Sequence, residues 1–352
     1  MKLQNSAVLA CAALAIAIAA APSGAAEMSS GSKGSGEAPR AAPGGATISE
    51  RGTPVAPLDL GEEGVPRALE LDAGEIERDF GTVARKRDGT ETEEPASDAM
   101  KRMLKGGDRT MREGVDPAFS EGESTRQVFG EDDRVQITDT SGYPFRTFGL
   151  LQGADAEGGL FNCSATLIGP RTVLTAAHCV YNHEEGWLND FVFAPGLTSM
   201  QEAPFGVYEY ETAYIFRGYI DNYEGYYGSV VPWDIAVVIL QEPAGDGLGW
   251  MSYEYDDRLG DFVANIIGYP GDMPAGTMWA ASCDVSRDAM QDLYFQYLCD
   301  TFPGSSGSAV YKFDKSRDER IVYGVNVAES PTANTAVRIN AMYFEWLNGL
   351  VE

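Results

Sequence analysis

The stretch CSATLIGPRTVLTAAHCVY, residues 163–181, contains two short apolar runs on either side of a Gly-Pro turn. Apolar runs of this length, bounded by turn residues, predict β-strands. Similar runs recur further along the chain, in WDIAVVIL, DFVANIIGYPG, SGSAVY and RIVYGVNV. Their number and spacing predict an all-β sandwich or barrel that begins near residue 127. One helix is expected at the end, where apolar residues recur at helical spacing at Tyr343, Trp346, Leu347 and Leu350.

Residues 1–26 have the pattern of a signal peptide. Lys2 precedes the apolar run VLACAALAIAIAAA, and the small residues Gly24, Ala25 and Ala26 offer a cleavage site. An uncleaved anchor and a lipoprotein modified at Cys11 are the alternatives. No later segment is long and apolar enough to span a membrane. The sequence therefore predicts a secreted or periplasmic protein without stable membrane insertion after signal cleavage.

Residues 27–126 differ in composition from the rest of the chain. They include the low-complexity run SSGSKGSGEAPRAAPGGA, and their only aromatic residues are Phe80 and Phe119. Such a segment offers little apolar surface to offset the entropy lost on ordering. A largely disordered acidic region is expected, serving as a propeptide, a spacer or a stalk.

The chain is strongly acidic, with a formal net charge of −27. Residues 127–352 carry most of this charge, since they contain 32 acidic and 11 basic residues. Nucleic-acid binding is disfavoured because phosphate contacts require clusters of lysine and arginine. The charge favours solubility and allows some steering of cationic partners.

Signal cleavage leaves four cysteines. An even number in an oxidising compartment predicts two disulfides. The pairing of neighbours closes short loops and is favoured, although three pairings are possible: Cys163 with Cys179, and Cys283 with Cys299. A zinc site is disfavoured because the sequence has no CxxC motif and only two histidines, His178 and His183.

Three stretches contain residues suited to acid–base and nucleophilic chemistry. His178 follows a predicted strand and adjoins a predicted disulfide, and Asp234 opens the apolar run of residues 235–240. Each has a structural alternative: His178 as a core histidine, and Asp234 as a turn or capping residue. A buried aspartate is also what orients a histidine that acts as a general base. His183 is read as a surface loop residue.

The third stretch is FPGSSGSAVY, residues 302–311. A Gly/Ser linker is one interpretation, but apolar segments lie on both sides of it. The alternative is a tight turn, in which Gly304 and Gly307 allow consecutive N–H groups to converge and stabilise an oxyanion.

The order TAAHC, WDIAVVIL, GSSGS resembles the chymotrypsin-like serine proteases. The Gly-x-Ser-Gly pattern of that family falls on residues 304–307 and assigns Ser306 as the nucleophile. Four segments are similar to the bacterial glutamyl endopeptidase branch: VFGEDDRVQITDTSGYPFR, CSATLIGPRTVLTAAHCVY, CDTFPGSSGSAVY, and VYGVNVAES followed by NTAVRIN. The resemblance covers about residues 127–352. It implies two six-stranded antiparallel β-barrels, at about 127–245 and 246–352, with a C-terminal helix.

The resemblance also implies acyl transfer by a His178–Asp234–Ser306 triad, in a monomer that acts on protein or peptide substrates. The N–H groups of Gly304 and Ser306 would hold the oxyanion, with no metal and no organic cofactor. A catalytically silent, protease-like binding protein is the alternative.

Related enzymes are made as precursors, so residues 27–126 are expected to be a propeptide, with cleavage after Arg126 in STRQVFG. Activation as in trypsin is not expected, because Ser305 occupies the position of the aspartate that this mechanism requires.

Three residues bear on specificity under this resemblance. Thr301 matches a pocket residue of the glutamyl branch, and Asn326 stands near the position of its usual histidine. Glutamate or another polar residue before the scissile bond is expected on this basis. Asp300 has the same offset from the nucleophile as the acid that selects lysine or arginine in trypsin. It would give a basic preference if it faced the pocket, and it would be structural if it pointed away.

Overall fold

The computed structural model describes residues 46–60, 65, 72–98, 100–101, 129 and 131–351. The predicted signal peptide, with Cys11, and the predicted cleavage point after Arg126 lie outside these residues. No helix among them is long and apolar enough to cross a membrane.

The strands and helices fall in the following ranges. The strands are β1 (Thr53–Pro54), β2 (Leu58–Asp59), β3 (Thr82–Lys86), β4 (Glu91–Glu94), β5 (Val135–Ile137), β6 (Phe148–Ala154), β7 (Leu160–Leu167), β8 (Thr172–Thr175), β9 (Tyr181–Asn182), β10 (Gly186–Trp187), β11 (Asn189–Pro195), β12 (Tyr208–Phe216), β13 (Ala236–Leu240), β14 (Ser252–Tyr253), β15 (Phe262–Gly268), β16 (Met278–Val285), β17 (Tyr294–Tyr297), β18 (Ala309–Asp314), β19 (Glu319–Glu329) and β20 (Asn334–Arg338). The α-helices are α1 (Ala73–Asp79), α2 (Arg217–Asp221), α3 (Ala244–Leu248) and α4 (Ala341–Leu350). Four short 3-10 helices cover Phe145–Thr147, Ala177–Cys179, Tyr227–Trp233 and Arg287–Ala289.

The first sheet is a closed barrel of six antiparallel strands. Its order is β11-β6-β7-β8-β13-β12, and pairing of β11 with β12 closes it. Along the barrel strands, buried residues either alternate with more exposed ones, as in part of β12, or follow one another without interruption, as in β13. In β13 all five residues are buried, which is typical of a strand inside a barrel wall. The prediction of an all-β fold with an antiparallel barrel is confirmed for this half.

The second sheet is a row of seven strands in the order β17-β20-β19-β18-β15-β16-β5, with β14 and β2 also paired to β19. Pairing among the described residues does not close this sheet, so the second half is a sheet that lies beside one closed six-stranded barrel. Cys283 lies in β16, and Cys299 lies two residues after the end of β17. A disulfide joins the two cysteines. A covalent tie thus connects two strands that no ladder of hydrogen bonds joins.

Helix α4 packs on the first barrel, although it follows the second sheet in sequence. Asn340 caps it by accepting hydrogen bonds from the N–H groups of Met342 and Tyr343. Tyr343 is fully buried, and the Trp346 ring lies 4.4 Å from that of Phe216. The predicted docking face therefore exists, and it links the end of the chain to the first half.

The described residues between 46 and 101 form strands and a helix that pair and pack with the rest of the fold, while the expectation of a largely disordered region 27–126 stays a prediction. β3 adds to the barrel by pairing with β12, and β4 pairs with β3. Phe80, one of the two aromatic residues of the region, is buried against Phe216 and Trp233. Strand addition to an existing edge, together with buried apolar side chains such as Leu58, Leu60, Ile76 and Phe80, holds a segment whose composition is too polar to form a core of its own.

Candidate active site

His178 lies in the 3-10 helix Ala177–Cys179, directly after β8. The next residue, Cys179, forms a disulfide with Cys163 in β7, with the two Cα atoms 6.0 Å apart. The bridge holds the backbone on which the imidazole is mounted against the barrel wall. It also confirms the favoured pairing of neighbouring cysteines.

Asp234 ends the 3-10 helix Tyr227–Trp233 and precedes β13. Asp234 is fully buried, and its two carboxylate oxygens each contact His178. Its Oδ1 accepts the backbone N–H of His178 at 2.9 Å, and its Oδ2 lies 2.7 Å from His178 Nδ1. A carboxylate can only accept, so Nδ1 carries the proton and Nε2 presents a lone pair.

Ser306 lies in a tight turn that requires glycine at two positions. Gly304 and Gly307 have φ values of 100° and 82°, in the region that side chains disfavour. A Cβ atom at Gly307 would lie 2.2 Å from Thr175 Oγ1, so the turn also packs too closely against β8 for a side chain. The Gly/Ser stretch is a packed turn in this structure and not a solvated linker.

Hydrogen bonds from Ser164 fix this turn on the first barrel. The N–H of Ser164 donates to the carbonyl of Ser306 at 2.8 Å, and its hydroxyl donates to the carbonyl of Gly304 at 2.8 Å. Ser164 adjoins Cys163, which is bonded to the cysteine next to His178. The structure thus brings the serine turn and the histidine to one junction between the two sheets.

The hydroxyl of Ser306 and Nε2 of His178 are both buried. Within the part of the chain that the structure describes, neither atom has a hydrogen-bond partner. The Ser306 hydroxyl and His178 Nε2 are therefore not hydrogen-bonded to each other in this structure, and a buried polar group without a partner carries a free-energy cost.

A segment from the N-terminal region reaches this turn. The carbonyl of Val55 accepts the N–H of Gly304 at 2.7 Å, and the N–H of Val55 donates to the carbonyl of Asn162 at 2.8 Å. The N–H of Gly304 is one of the two donors that the sequence assigns to the oxyanion. In this structure it is already engaged.

The carboxylate of Asp300 is hydrogen-bonded to backbone N–H groups that precede β5. Its two oxygens accept the N–H groups of Phe129 and Asp133, at 2.7 and 3.1 Å. Burial raises the pKa of this carboxyl, although the two hydrogen bonds act in the opposite direction. The side chain binds the backbone at Phe129 and at Asp133, and its part in substrate preference stays a prediction.

Asn326 is fully buried and its amide is committed to protein groups. Its Nδ2 donates to the carbonyl of Ser305 at 3.1 Å, and its Oδ1 accepts the hydroxyl of Tyr297. Through the carbonyl of Ser305, Asn326 holds the residue that precedes Ser306 in the turn. The expected hydrogen bond from Asn326 to a substrate would have to use the second N–H of Nδ2, because each amide atom already makes one contact within the protein.

Thr301 contacts an acid that the sequence analysis did not single out. The Thr301 hydroxyl donates to Glu329 Oε1 at 3.4 Å, and both residues are buried. Burial raises the pKa of the nearby Tyr297 phenol, and the negative charge of Glu329 raises it further. The available signal was an acid directly after the apolar run VYGVNVA, where a buried strand continues to its last residue.

His183 lies in an aromatic cluster and is not an exposed loop residue. Its ring stacks on Tyr223 with centroids 4.1 Å apart and packs against Tyr219 at 4.8 Å. Burial lowers the pKa of His183, while the charge of Asp234 acts in the opposite direction. The cluster lies near Asp234, whose charge acts on the pKa of both His183 and Tyr219.

Comparison with known proteins agrees with this geometry. Residues 163–317 match the trypsin-like peptidase domain family. The chain is 32% identical to a glutamyl endopeptidase of Bacillus licheniformis over 197 residues, which is 55% of this chain and 57% of the relative. It is 28% identical to a Bacillus subtilis protein named extracellular metalloprotease over 188 residues, which is 53% of this chain and 57% of the relative. The chain thus spans little more than half the length of each of these relatives.

The name of the second relative raises the question of a metal. In this chain His178 lies near the sulfurs of Cys163 and Cys179, but those sulfurs form a disulfide. Metal binding by cysteine requires thiolates, so this grouping does not fit a metal ion.

A solved structure of a glutamyl endopeptidase in complex with MPD superimposes with a TM-score of 0.54 at 26% identity. The match covers 63% of this chain and 98% of that structure. It spans nearly the whole of the solved protease. Residues 163–317 therefore match a trypsin-like peptidase domain, and the chain is similar in sequence and fold to bacterial glutamyl endopeptidases.

Proposed function

We propose that this chain is the precursor of an exported serine endopeptidase that cleaves peptide bonds through an acyl-enzyme. The observation that carries the proposal is the doubly hydrogen-bonded His178–Asp234 pair beside the glycine-flanked turn of Ser306. An acceptor nitrogen on a fixed imidazole, next to a serine on a tight turn, is the arrangement needed for nucleophilic catalysis.

In the proposed reaction Ser306 Oγ attacks the scissile carbonyl and His178 Nε2 takes the hydroxyl proton. The imidazolium returns this proton to the leaving amine, and a water molecule then hydrolyses the acyl-enzyme by the same route. Asp234 holds the imidazole in its reactive tautomer and stabilises its charged form. The N–H groups of Gly304 and Ser306 would stabilise the oxyanion, with about 3–4 kcal/mol for such a donor.

Residues 27–126 are proposed to be a propeptide, with cleavage after Arg126. Support comes from Val55, whose carbonyl occupies the N–H of Gly304 in the unprocessed chain. N-terminal sequencing of the active form tests this. A start at Gln127 or Val128 is expected, and a start at Glu27 would contradict it.

The experiment for the central proposal is hydrolysis of a fluorogenic peptide library by the expressed full chain, with Ser306→Ala as the control. The proposal predicts cleavage that disappears in the variant. A folded wild-type protein that cleaves nothing, while still binding peptides, would favour a silent binding protein.

A further inference from the structure

We propose that the first barrel has an interaction surface that keeps the N-terminal region bound after the chain is cut after Arg126, as a separate piece that slows access to the serine turn. This inference rests on the proposed function and extends it, because the cut alone then does not release the enzyme. Two segments carry the inference: residues 73–94, here called the clamp, and residues 53–60, here called the strap. The processed protein is the enzyme from which this piece has dissociated.

The clamp is bound to the barrel as an added strand. β3 pairs with β12 along its whole length. Backbone hydrogen bonds extend this ladder at both ends. The N–H of Arg217 donates to the carbonyl of Gly81 at 2.7 Å, and the N–H of Arg87 donates to the carbonyl of Glu211 at 2.9 Å. Strand addition to a free edge is a common way to bind a separate peptide, because its main-chain bonds do not depend on a continuous chain.

Buried side chains of the clamp continue the core of the barrel. Phe80 is 2% exposed and Val83 is 1% exposed. The ring centroid of Phe80 lies 5.6 Å from that of Phe216 and 5.9 Å from that of Trp233. Release of the clamp would remove these contacts and leave part of β12 as an unpaired strand edge, which is an unfavourable surface in water. The face formed by β12, Phe216 and Trp233 therefore fits the clamp as its partner.

Ion pairs connect the same two surfaces. Arg87 of the clamp pairs with Glu209, and Glu93 of the clamp pairs with Arg217. These side chains are partly exposed, so they add little affinity. Their opposite polarity at two places fixes the register in which the clamp binds.

The strap crosses from the barrel to the second sheet over the serine turn. β1 pairs with β7, and β2 pairs with β19. Between these pairings, the Val55 carbonyl accepts the N–H of Gly304 at 2.7 Å. Pro54 packs closely on the turn, with its Cβ 3.3 Å from the position that a Cβ on Gly304 would occupy. Ser306 beside it is 0% exposed. A docked strap thus denies this N–H to a substrate carbonyl.

A cut after Arg126 leaves both segments on one piece, because the clamp and the strap both precede this residue in sequence. Two binding segments on one chain support each other. When the strap opens, the clamp keeps it at a high local concentration near the turn, and the strap docks again. The piece therefore stays bound more tightly than either segment would alone.

The test uses the expressed full chain with the recognition site of a sequence-specific protease inserted after Arg126, so that the cut is made at a chosen time. Native mass spectrometry and size-exclusion chromatography at submicromolar concentration measure whether the two pieces stay together. The rate at which an organophosphonate labels Ser306, followed by intact mass, measures how far the serine turn is covered.

The cut wild-type protein should remain a complex of the two pieces and label no more than about twofold faster than the uncut chain. Phe80→Ala should weaken the hold on the N-terminal piece by at least about 100-fold, since it truncates a buried aromatic side chain. After the cut, the pieces of this variant should separate, and Ser306 should label at least about tenfold faster than in the cut wild type. Before the cut, the increase should be smaller, because the intact chain keeps the strap close.

Thr92→Ala is the matched control, because Thr92 lies in β4 of the same clamp and is exposed. This variant should match the wild type in both measurements. If Phe80→Ala does not fold, Val83→Ala makes the same prediction with a smaller effect.

Separation of the cut wild-type pieces at submicromolar concentration would overturn the inference, and rapid labelling of Ser306 in that sample would leave the protease proposal standing. A bound N-terminal piece with labelling as fast as in cut Phe80→Ala would also overturn it. If the separated Phe80→Ala enzyme neither labels at Ser306 nor cleaves any peptide, the proposed function fails, and the blocking role of the strap fails with it.

Discussion

Asp234 and Asp300 are both buried and both accept backbone N–H groups, yet only Asp234 also meets an imidazole. A carboxylate that binds only backbone contributes to the stability of the loop. One that also binds Nδ1 of a histidine determines which ring nitrogen carries the proton. The pair separates a structural role from the role proposed for a catalytic carboxylate within the same molecule.

Replacement of Asp234 by asparagine should lower kcat by about 10⁴-fold near neutral pH. An amide can donate to Nδ1, which leaves the proton on Nε2 and removes the base. Steady-state kinetics of Asp234→Asn and Asp300→Asn, each with an unfolding curve, checks this. A loss of less than tenfold in a folded Asp234→Asn protein would argue against the triad.

The sequence identifies candidate site residues better than it predicts which groups their side chains contact. His178, Asp234 and Ser306 were singled out because their neighbours in sequence have distinctive patterns. The directions of Asp300 and Asn326, and the place of Glu329, depend on how β19 pairs and on where residues 129–133 lie. Those are contacts between residues far apart in the chain, which no local pattern encodes.

At the scale of elements, the two disulfides form a matched pair. Each joins cysteines 16 residues apart, so loop closure predicts a similar stabilisation of about 3 kcal/mol for each. Their positions differ, since Cys163–Cys179 adjoins both Ser164 and His178, while Cys283–Cys299 connects β16 to the end of β17.

Removal of either disulfide by a double alanine substitution should therefore lower the free energy of unfolding by a similar amount. Only Cys163→Ala with Cys179→Ala should also lower kcat, because that bridge positions the imidazole relative to the serine turn. Urea unfolding and kinetics on both variants, at a temperature where both are folded, make the comparison. Equal losses of kcat would contradict it.

The strands of the N-terminal region show what composition alone does not predict. All four residues of β4 are exposed, and β3 is ordered because it pairs with β12 and packs near the Phe80 anchor. Low apolar content correctly excludes an independent core in this region. It does not exclude addition to the edge of a core that the rest of the chain provides.

For the whole molecule, the chain ends cross between the two halves. β5 comes before the barrel in sequence but pairs with β16 of the second sheet, and α4 follows the second sheet but packs on the barrel. Together with the strap, these crossings hold the two sheets around the junction where His178 and Ser306 lie. The all-β class could be predicted from strand patterns, and the first barrel from the resemblance to the chymotrypsin-like proteases. The crossings could not, because they depend on the final packing of distant segments.

The central claim is that Ser306, positioned by this junction, is the nucleophile. The most direct test is reaction of the processed protein with an organophosphonate, followed by mass spectrometry of the fragment that contains residues 302–311. The account predicts a single adduct on Ser306, with none on Ser305 or Ser308, and no adduct in His178→Ala under the same conditions. An adduct on a neighbouring serine, or equal labelling without His178, would contradict it.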